Sequence, residues 1–444
     1  TRLLGILRIK QGVKVQNTLN LKKRLSSFDL TNLIIGSVIG ADLYVTPGLT
    51  AAMIGPASIF AWVVAGIFAL VIALVFSYTS YYVPKVGGPF AFVSKAFGKF
   101  YGFLTGWLML IAEMMALPLF AIVFVRYLHY FIELESWQEI LVKGVFIFSL
   151  TVVNIVGVKI GGRVNDVLTI IKLAPLVLVV VLGFVFLTYN PEKLAQNYSF
   201  IAPLGWENFG SALVLIFWAY AGFEMGTVPA SEVKNPKIVI PKAIVTGMIS
   251  VTLFYLLTNF VLYGSINWVE LSHSTLPLVL LGILVIGYFG GMIVSFGALA
   301  SVSGTGSSFV LGVSRLSYAM SSEGLFPKKF SKIHPKYKTP YMALIIQGVI
   351  AFFLSIYGGI TQLISFSVFN MSFMYIFVCL SLVVLKKEKE TKFIGQNVLP
   401  FVGIGICGFL IYYTSIYDKI FGTVFVLLGI GIYFFFSRKN NHNL

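Results

Sequence analysis

The chain has 444 residues, of which 58% are hydrophobic and only 11% are charged, and its mean hydropathy is +0.92. Soluble domains carry about 25% charged residues, so this composition excludes a water-soluble enzyme, a nucleic-acid-binding domain and a disordered protein. The net charge of +16 comes from basic residues whose placement, described below, indicates membrane topology rather than nucleic-acid binding.

Apolar runs of about 20 residues, the length that a helix needs to cross a bilayer, recur along nearly the whole chain. Helices are expected because backbone groups in lipid must bond within their own segment. We therefore predict an all-α polytopic membrane protein with one further helix, about 269–284, in an outer loop. Its twelve predicted transmembrane helices cover residues 28–52, 58–83, 101–131, 138–157, 164–188, 208–229, 241–265, 286–320, 340–357, 361–385, 396–415 and 419–437.

Lysine and arginine are distributed asymmetrically between the two sides of these helices. All but five of the 32 basic residues fall in the two tails and in the loops after the even-numbered helices. The five exceptions are Arg126, Lys143, Lys172, Lys193 and Lys419. Basic loops stay on the cytoplasmic side of a membrane, so we predict cytoplasmic tails at 1–27 and 438–444 in a protein of the plasma membrane.

Several kinds of site have no sequence signal. The two cysteines, Cys379 and Cys407, lie inside apolar segments, and the four histidines are not at metal-ligand spacing. We therefore expect no disulfide framework, no metal site and no cofactor. A membrane-embedded enzyme is disfavoured, because the sequence contains no paired nucleophile and base and no phosphate-binding loop.

Two predicted helices contain stretches that interrupt a helix. Helix 1 holds Gly-Ser-Val-Ile-Gly-Ala-Asp at 36–42 and then Pro47, and helix 6 holds Trp-Ala-Tyr-Ala-Gly-Phe-Glu at 218–224 and then Pro229. Glycine loosens the backbone and proline removes a donor. Non-helical backbone at membrane depth is tolerated where it lines a cavity or is buried in protein. The alternative is ordinary packing of small residues between continuous helices.

The spacing of the two interrupted helices predicts the domain organisation. Helices 1 and 6 are five apart, so they cross the membrane in opposite directions. This arrangement is typical of two inverted five-helix repeats, each of which begins with a broken helix. The repeats would cover 28–188 and 208–385, and two further helices would follow within 396–437.

Ionisable side chains inside the predicted helices are few, and each is costly enough to be a functional candidate. Lys172 either snorkels to the surface or fills the gap between helices 1, 5 and 8 as a buried amine that can gain and lose a proton. Glu224 is either a proton carrier or a carboxylate bonded to backbone groups that the break frees. Glu113 has no motif around it, so it is either structural or lines a cavity.

Five stretches, in order and at matching topological positions, resemble the amino acid–polyamine–organocation (APC) superfamily of secondary transporters. The first is Gly-Ser-Val-Ile-Gly-Ala-Asp-Leu-Tyr at 36–44, which is similar to the family pattern Gly-x-x-x-Gly-Ser-Gly-Ile-Phe. The others are Pro-Lys-Val-Gly-Gly-Pro-Phe-Ala-Phe at 84–92, Phe-Trp-Ala-Tyr-Ala-Gly-Phe-Glu at 217–224, Glu-Val-Lys-Asn-Pro at 232–236 and Ser-Arg-Leu-Ser-Tyr-Ala-Met at 314–320.

The resemblance implies alternating access around a midplane site between helices 1 and 6, and a small amine-bearing substrate, usually an amino acid. Free amides at the start of a half-helix suit a carboxylate, and carbonyls at the end of the preceding half-helix suit an ammonium. By position, the predicted substrate-binding residues are Ile39, Gly40, Ala41, Asp42, Trp218, Tyr220, Ala221 and Gly222. The aromatic ring of Trp218 would close over the substrate, although simple packing is the alternative.

The resemblance also implies a role for Lys172, which falls where many sodium-independent members of the family have a lysine. Its ammonium would stand in for a sodium ion and would contact helix 1 near Gly36 and helix 8 hydroxyls around Ser303 or Ser307. We therefore predict a sodium-independent transporter. Proton coupling, exchange and uniport all remain open at this point.

Asp42 departs from the family pattern, which has glycine at this position. An acid beside a carboxylate-binding loop needs compensation, and three arrangements would supply it. Asp42 would attract a cationic substrate, pair with Lys172, or turn away and bond to the backbone of helix 6. The first of these keeps cationic amino acids and polyamines among the alternatives.

The sequence thus predicts a secondary active transporter for an amino acid or a related amine, with protons as the expected coupling ion and the lipid bilayer as its surroundings. A nutrient sensor without transport on the same scaffold is the alternative from another class. Sensors usually need a long cytoplasmic domain, and the longest predicted cytoplasmic segment is the tail of about 27 residues. No nucleic-acid partner is expected, and the oligomeric state is not predicted.

Overall fold

The computed structural model describes residues 25–85, 87–157, 162–227, 230, 233–388 and 393–441, with the backbone alone at 162–168, 170 and 438–441. Predictions that concern residues 1–24 of the N-terminal tail, Lys159, Pro229, Glu232 and the last three residues lie outside the described residues.

The described residues form a bundle of α-helices. In the first half of the chain these are α1 (Ser27–Val38), α2 (Asp42–Ile54), α3 (Ser58–Tyr82), α4 (Pro89–Phe97), α5 (Lys99–Met114), α6 (Ala116–Leu128), α7 (Ser136–Val156), α8 (Gly162–Tyr189) and α9 (Pro191–Tyr198). In the second half they are α10 (Phe209–Trp218), α11 (Pro236–Ser265), α12 (Trp268–His273), α13 (Pro277–Ile286), α14 (Tyr288–Ser322), α15 (Tyr341–Tyr357), α16 (Ile360–Leu385), α17 (Leu399–Tyr413) and α18 (Ile416–Asn441).

These helices have the length and composition of membrane-crossing segments. Among the described residues, nine helical stretches are long and apolar enough to cross a membrane. Three shorter apolar helices accompany them, namely Pro277–Ile286, Tyr341–Tyr357 and Leu399–Tyr413. The prediction of an all-helical membrane protein is confirmed at this level.

The helices differ from the predicted segments in four places. Predicted helix 3 is divided at Met115, because Pro118 has no N–H to donate to the carbonyl of Met114. The single helix predicted at about 269–284 is two helices, α12 and α13. They separate before Pro277, where Leu276 (φ −131°, ψ 59°) lies outside the α-helical region that a following proline disfavours. Two short helices that the sequence analysis missed, α4 and α9, lie before α5 and after α8.

The packing places two half-helices at the centre of the bundle. Helix α1 packs against α8 and α11, and α10 packs against α3 and α16. The chain segments that follow both half-helices are buried.

Candidate functional site

Helix α1 stops in the interior of the bundle. It ends at Val38, the chain runs without helical structure through Ile39, Gly40 and Ala41, and α2 begins at Asp42. A Cβ on Gly40 would lie 3.1 Å from Cγ2 of Thr305, so a larger residue here would push against α14. No side chain caps the start of α2. The interruption therefore brings helix-end carbonyls and amides together in a buried place.

A second interruption follows α10. The helix ends at Trp218, tight turns cover residues 219–222, and a 3-10 turn runs over Phe223–Thr227. Gly222 has φ +109°, a conformation that other residues rarely adopt. A Cβ on Gly222 would lie only 2.8 Å from the carbonyl oxygen of Ser37 in α1. The two interruptions therefore meet backbone to backbone.

One tyrosine of α11 joins both interruptions. The hydroxyl of Tyr255 lies 2.6 Å from Oδ2 of Asp42, 3.0 Å from the carbonyl oxygen of Ala219 and 3.2 Å from that of Val38. Both Tyr255 and Asp42 are buried. Of the three arrangements considered for Asp42, the structure comes nearest to the third. Its carboxyl group is turned towards α11, and its link to the α10 backbone runs through the Tyr255 hydroxyl.

Lys172 of α8 lies against the end of α1. Its ammonium donates to the carbonyl oxygen of Gly36, to that of Ile39 at 3.3 Å and to Oγ1 of Thr305 at 3.0 Å. The Thr305 hydroxyl in turn lies 3.2 Å and 3.1 Å from the same two carbonyl oxygens. Among the described residues no ion pair joins Lys172 to Asp42. The lysine is 5% exposed. Its ammonium has three hydrogens, and three acceptors surround it.

The hydroxyl partner of Lys172 corrects the sequence analysis, which expected Ser303 or Ser307. The Ser303 hydroxyl donates to the carbonyl of Leu299 in its own helix, 2.7 Å away. Ser307 accepts from the side-chain amide of Asn154 at 3.0 Å. Residues two positions from Thr305 project from nearly the opposite side of a helix, so neither serine reaches the lysine.

The aromatic residues of the second interruption divide into two groups. The Trp218 ring lies 6.4 Å, centroid to centroid, from that of Phe120 of α6, and Phe120 also borders Gly40. The Tyr220 hydroxyl instead donates to the carbonyl of Trp62 in α3 at 3.2 Å. Trp218 therefore faces the first interruption through Phe120, and Tyr220 anchors the second one to α3. Ala221, which follows Tyr220 and precedes Gly222, is 7% exposed.

Glu224 is fully buried just after Gly222, and its Oε2 accepts the Gly222 N–H at 3.1 Å. Its other neighbours are the side chains of Glu113 in α5 and Tyr375 in α16. The sequence analysis left Glu113 without a partner and did not single out Tyr375, Tyr255 or Phe120. Each is one polar or aromatic residue in a long apolar helix, where nothing in the local pattern marks the side that faces the site.

Comparison with known proteins assigns a family. A family model described as amino acid permease matches residues 25–443. The chain is similar to the branched-chain amino acid permease BcaP of Bacillus subtilis (strain 168), with 26% identity over 95% of this chain and 94% of that protein. It is also similar to the serine/threonine exchanger SteT of the same organism, with 28% identity over 94% of this chain and 97% of that protein. Cationic amino acid transporter 4 of Mus musculus is 27% identical over 84% of this chain and 61% of its own length.

These relatives are transporters of the membrane rather than enzymes, which confirms the resemblance drawn from the sequence motifs. The match extends over the whole described helical bundle, including both interruptions and Lys172. The chain belongs to the amino acid permease family.

Proposed function

We propose that this protein moves an amino acid across the plasma membrane by alternating access, without sodium. The observation that carries the proposal is the meeting of the two interruptions, where Gly222 packs on the Ser37 carbonyl and the Tyr255 hydroxyl contacts both breaks. Unwound backbone at membrane depth is stable only where it is buried or lines a cavity. Its free helix ends suit the two charged groups that all amino acids share.

The proposed architecture is twelve membrane crossings, with inverted repeats at 28–188 and 208–385, two trailing helices and both termini in the cytoplasm. Helix contacts support the repeat, because they persist when helices 1–5 are exchanged for helices 6–10. In this numbering α1, α3 and α8 belong to helices 1, 2 and 5, and α10, α11 and α16 belong to helices 6, 7 and 10. The contact of α1 with α8 thus corresponds to that of α10 with α16, and the contact of α1 with α11 corresponds to that of α10 with α3. Two halves that pack alike in opposite orientations can rock about a central site.

The substrate would lie between the two breaks. Its carboxylate would meet amides at the uncapped start of α2, near Ala41, because a helix start favours negative charge. Its amine would meet carbonyls around Ile39 and the second break at Ala221. The Trp218 ring, which already faces the first break through Phe120, would cover the substrate.

Lys172 would take the place of a coupling sodium ion. Its ammonium holds the end of α1 to α14 through Thr305 and two carbonyl oxygens, which are ligands of the type that a sodium ion uses. The negative end of the α1 dipole favours a cation at this position. Transport would then proceed without sodium, driven by protons or by exchange.

The engagement of Asp42 favours a substrate with a neutral side chain. Its carboxyl group contacts the Tyr255 hydroxyl at 2.6 Å and is 4% exposed, so it does not present an open charge to a cationic side chain. Relatives named for branched-chain amino acids and for serine and threonine agree with this choice. Cationic amino acids and polyamines remain the alternative that a substrate panel tests.

Purified protein in proteoliposomes tests the proposal. We expect uptake of a labelled neutral amino acid in sodium-free buffer, either with an inward proton gradient or in exchange for preloaded substrate. A panel of neutral and cationic amino acids and polyamines identifies the class by competition. Absence of uptake for the whole panel under both conditions would refute transport and leave the sensor alternative.

A further inference from the structure

Two buried carboxyl groups meet between α5 and the second interruption. Glu113 is 3% exposed and Glu224 is 0% exposed, and their side chains are close enough to share a hydrogen bond. Within the described part of the chain, Oε1 of each has no hydrogen-bond donor. An ionised carboxylate has no hydrogen to donate, so a bond between the two requires a proton that one of them carries.

A third oxygen lies at the same place. The Tyr375 hydroxyl of α16 is fully buried beside Glu224 and has no hydrogen-bond partner among the described residues. The Tyr375 ring is held by stacking on that of Phe223, with centroids 6.0 Å apart. The other titratable neighbour of this tyrosine is Cys407 of α17. Three neighbouring buried side chains therefore each carry an oxygen without a hydrogen-bond partner among the described residues.

The described residues place no compensating cation beside the pair. In the part of the chain that the structure describes, no ion pair joins a lysine, arginine or histidine to Glu113 or Glu224. Two adjacent negative charges in a low-dielectric interior repel strongly, so two carboxylates that share such a site do not both ionise. A proton is the smallest ligand that relieves both the repulsion and the missing donor.

We propose that Glu113, Glu224 and Tyr375 form a proton-binding site that holds at least one proton between the two carboxyl groups and couples transport to protons. This inference rests on the proposed transport function. Coupling would run through Gly222, whose N–H donates to Oε2 of Glu224. Bonds to an ionised acceptor are stronger than bonds to a neutral one, so the charge of Glu224 changes how firmly the second break is held.

Infrared spectroscopy of the protein with carboxyl-labelled glutamate tests the site without any transport assay. We expect a protonated glutamate absorption at neutral pH that is lost in Glu113→Gln and in Glu224→Gln, because the new amide donates to the remaining carboxylate in place of the proton. The matched control is Asp418→Asn. Asp418 is also buried, but it accepts from the hydroxyls of Ser365 at 2.5 Å and Ser415 at 2.6 Å. No protonated glutamate in the wild type, or an unchanged band in both glutamine variants, would overturn the site.

Uptake into proteoliposomes tests the coupling. We expect an inward proton gradient to stimulate wild-type uptake, and we expect Glu113→Gln and Glu224→Gln to lose that stimulation while they still exchange internal for external substrate. Asp418→Asn should keep the stimulation. Wild-type exchange without any proton stimulation, or full stimulation in both glutamine variants, would refute the coupling. Absence of all wild-type transport would instead refute the proposed function, and the infrared result would still decide the proton site.

Discussion

The ammonium of Lys172 and the carboxyl pair of Glu113 and Glu224 are both buried beside an interrupted helix, and they differ in how their hydrogens and acceptors balance. The ammonium has three hydrogens and three acceptors, Gly36, Ile39 and Thr305. The carboxyl pair has acceptor oxygens for which the described residues supply no donor. A cation whose hydrogens all have acceptors at the negative end of a helix is suited to a structural role, whereas a pair of acids without donors is suited to binding a proton.

The difference assigns separate tasks to the two regions. Lys172 would keep α1 attached to α14 at every stage of transport, as a bound sodium ion would. The carboxyl pair would respond to pH and act on the second break through Gly222. Loss of the first site should abolish transport at any pH, and loss of the second should remove only the response to protons.

The largest expected effect comes from Lys172→Ala. The change removes the donor from three buried acceptors, and bonds to a charged group contribute about 1.5–3 kcal/mol each. We expect uptake to fall to that of protein-free vesicles across the whole pH range. Lys143→Ala is the control, because its ammonium lies 3.5 Å from Glu139 one turn away on the same partly exposed helix face. Normal uptake by Lys172→Ala would show that α1 needs no such tether.

Gly222→Ala would disturb the contact between the second interruption and the Ser37 carbonyl of α1. Alanine at φ +109° is strained by about 1–2 kcal/mol, and its Cβ would approach the Ser37 carbonyl oxygen to 2.8 Å. We expect uptake to fall by about tenfold or more, since 1.4 kcal/mol corresponds to a factor of ten. Gly205→Ala is the control that distinguishes backbone strain from the loss of a close contact. Gly205 also has a positive φ of +72°, but nothing lies within 4 Å of its added Cβ. Equal losses in the two variants would contradict a specific role for the contact.

Tyr255→Phe would remove the hydroxyl that contacts Asp42 and both breaks. A hydrogen bond to a charged acceptor is worth about 1.5–3 kcal/mol, so we expect an apparent affinity about tenfold weaker or more. Competition assays would also show whether the freed Asp42 begins to accept cationic amino acids. Tyr357→Phe, at a residue that is 83% exposed, should leave affinity unchanged. Equal affinity in Tyr255→Phe and the wild type would show that the Tyr255 hydroxyl makes no contribution to substrate binding.

Thr305→Val should have the smallest effect. It removes one of the three acceptors of the Lys172 ammonium, while it keeps the shape of the side chain and leaves the two carbonyl acceptors in place. We expect a loss of a few-fold in uptake rate that Thr305→Ser restores, with no change in the pH profile. Ser303→Ala should match the wild type because the Ser303 hydroxyl bonds within its own helix. A changed pH profile in Thr305→Val would contradict a purely structural role for the Lys172 ammonium.

The sequence predicted those parts of the site that local chemistry marks. Glycines and a nearby proline indicated the interruption of helix 1, and α1 does end within that stretch, at Val38. A lysine inside an apolar helix is costly enough to stand out, and Lys172 indeed contacts Gly36. Such features are visible because each violates what a membrane helix normally contains.

Other parts of the site depend on how each helix is rotated in the bundle, which local sequence does not determine. Helix α14 carries hydroxyls at Ser303, Thr305 and Ser307, and only packing against α1 selects Thr305. Glu113 and Tyr255 are single polar residues on apolar helices, so their partners become apparent only when α5 and α11 are placed. The outer segment divides into α12 and α13 at Pro277, because the residue before a proline is kept out of the helical conformation even where the apolar pattern continues.

The most direct test of the central claim is an experimental structure with a transported amino acid bound. The account predicts the substrate between the two breaks, with its carboxylate at the amides that begin α2, its amine at carbonyls near Ile39 and Ala221, and the Trp218 ring beside it. Substrate bound elsewhere in the bundle, with α1 and α10 continuing unbroken past Gly40 and Gly222, would contradict it.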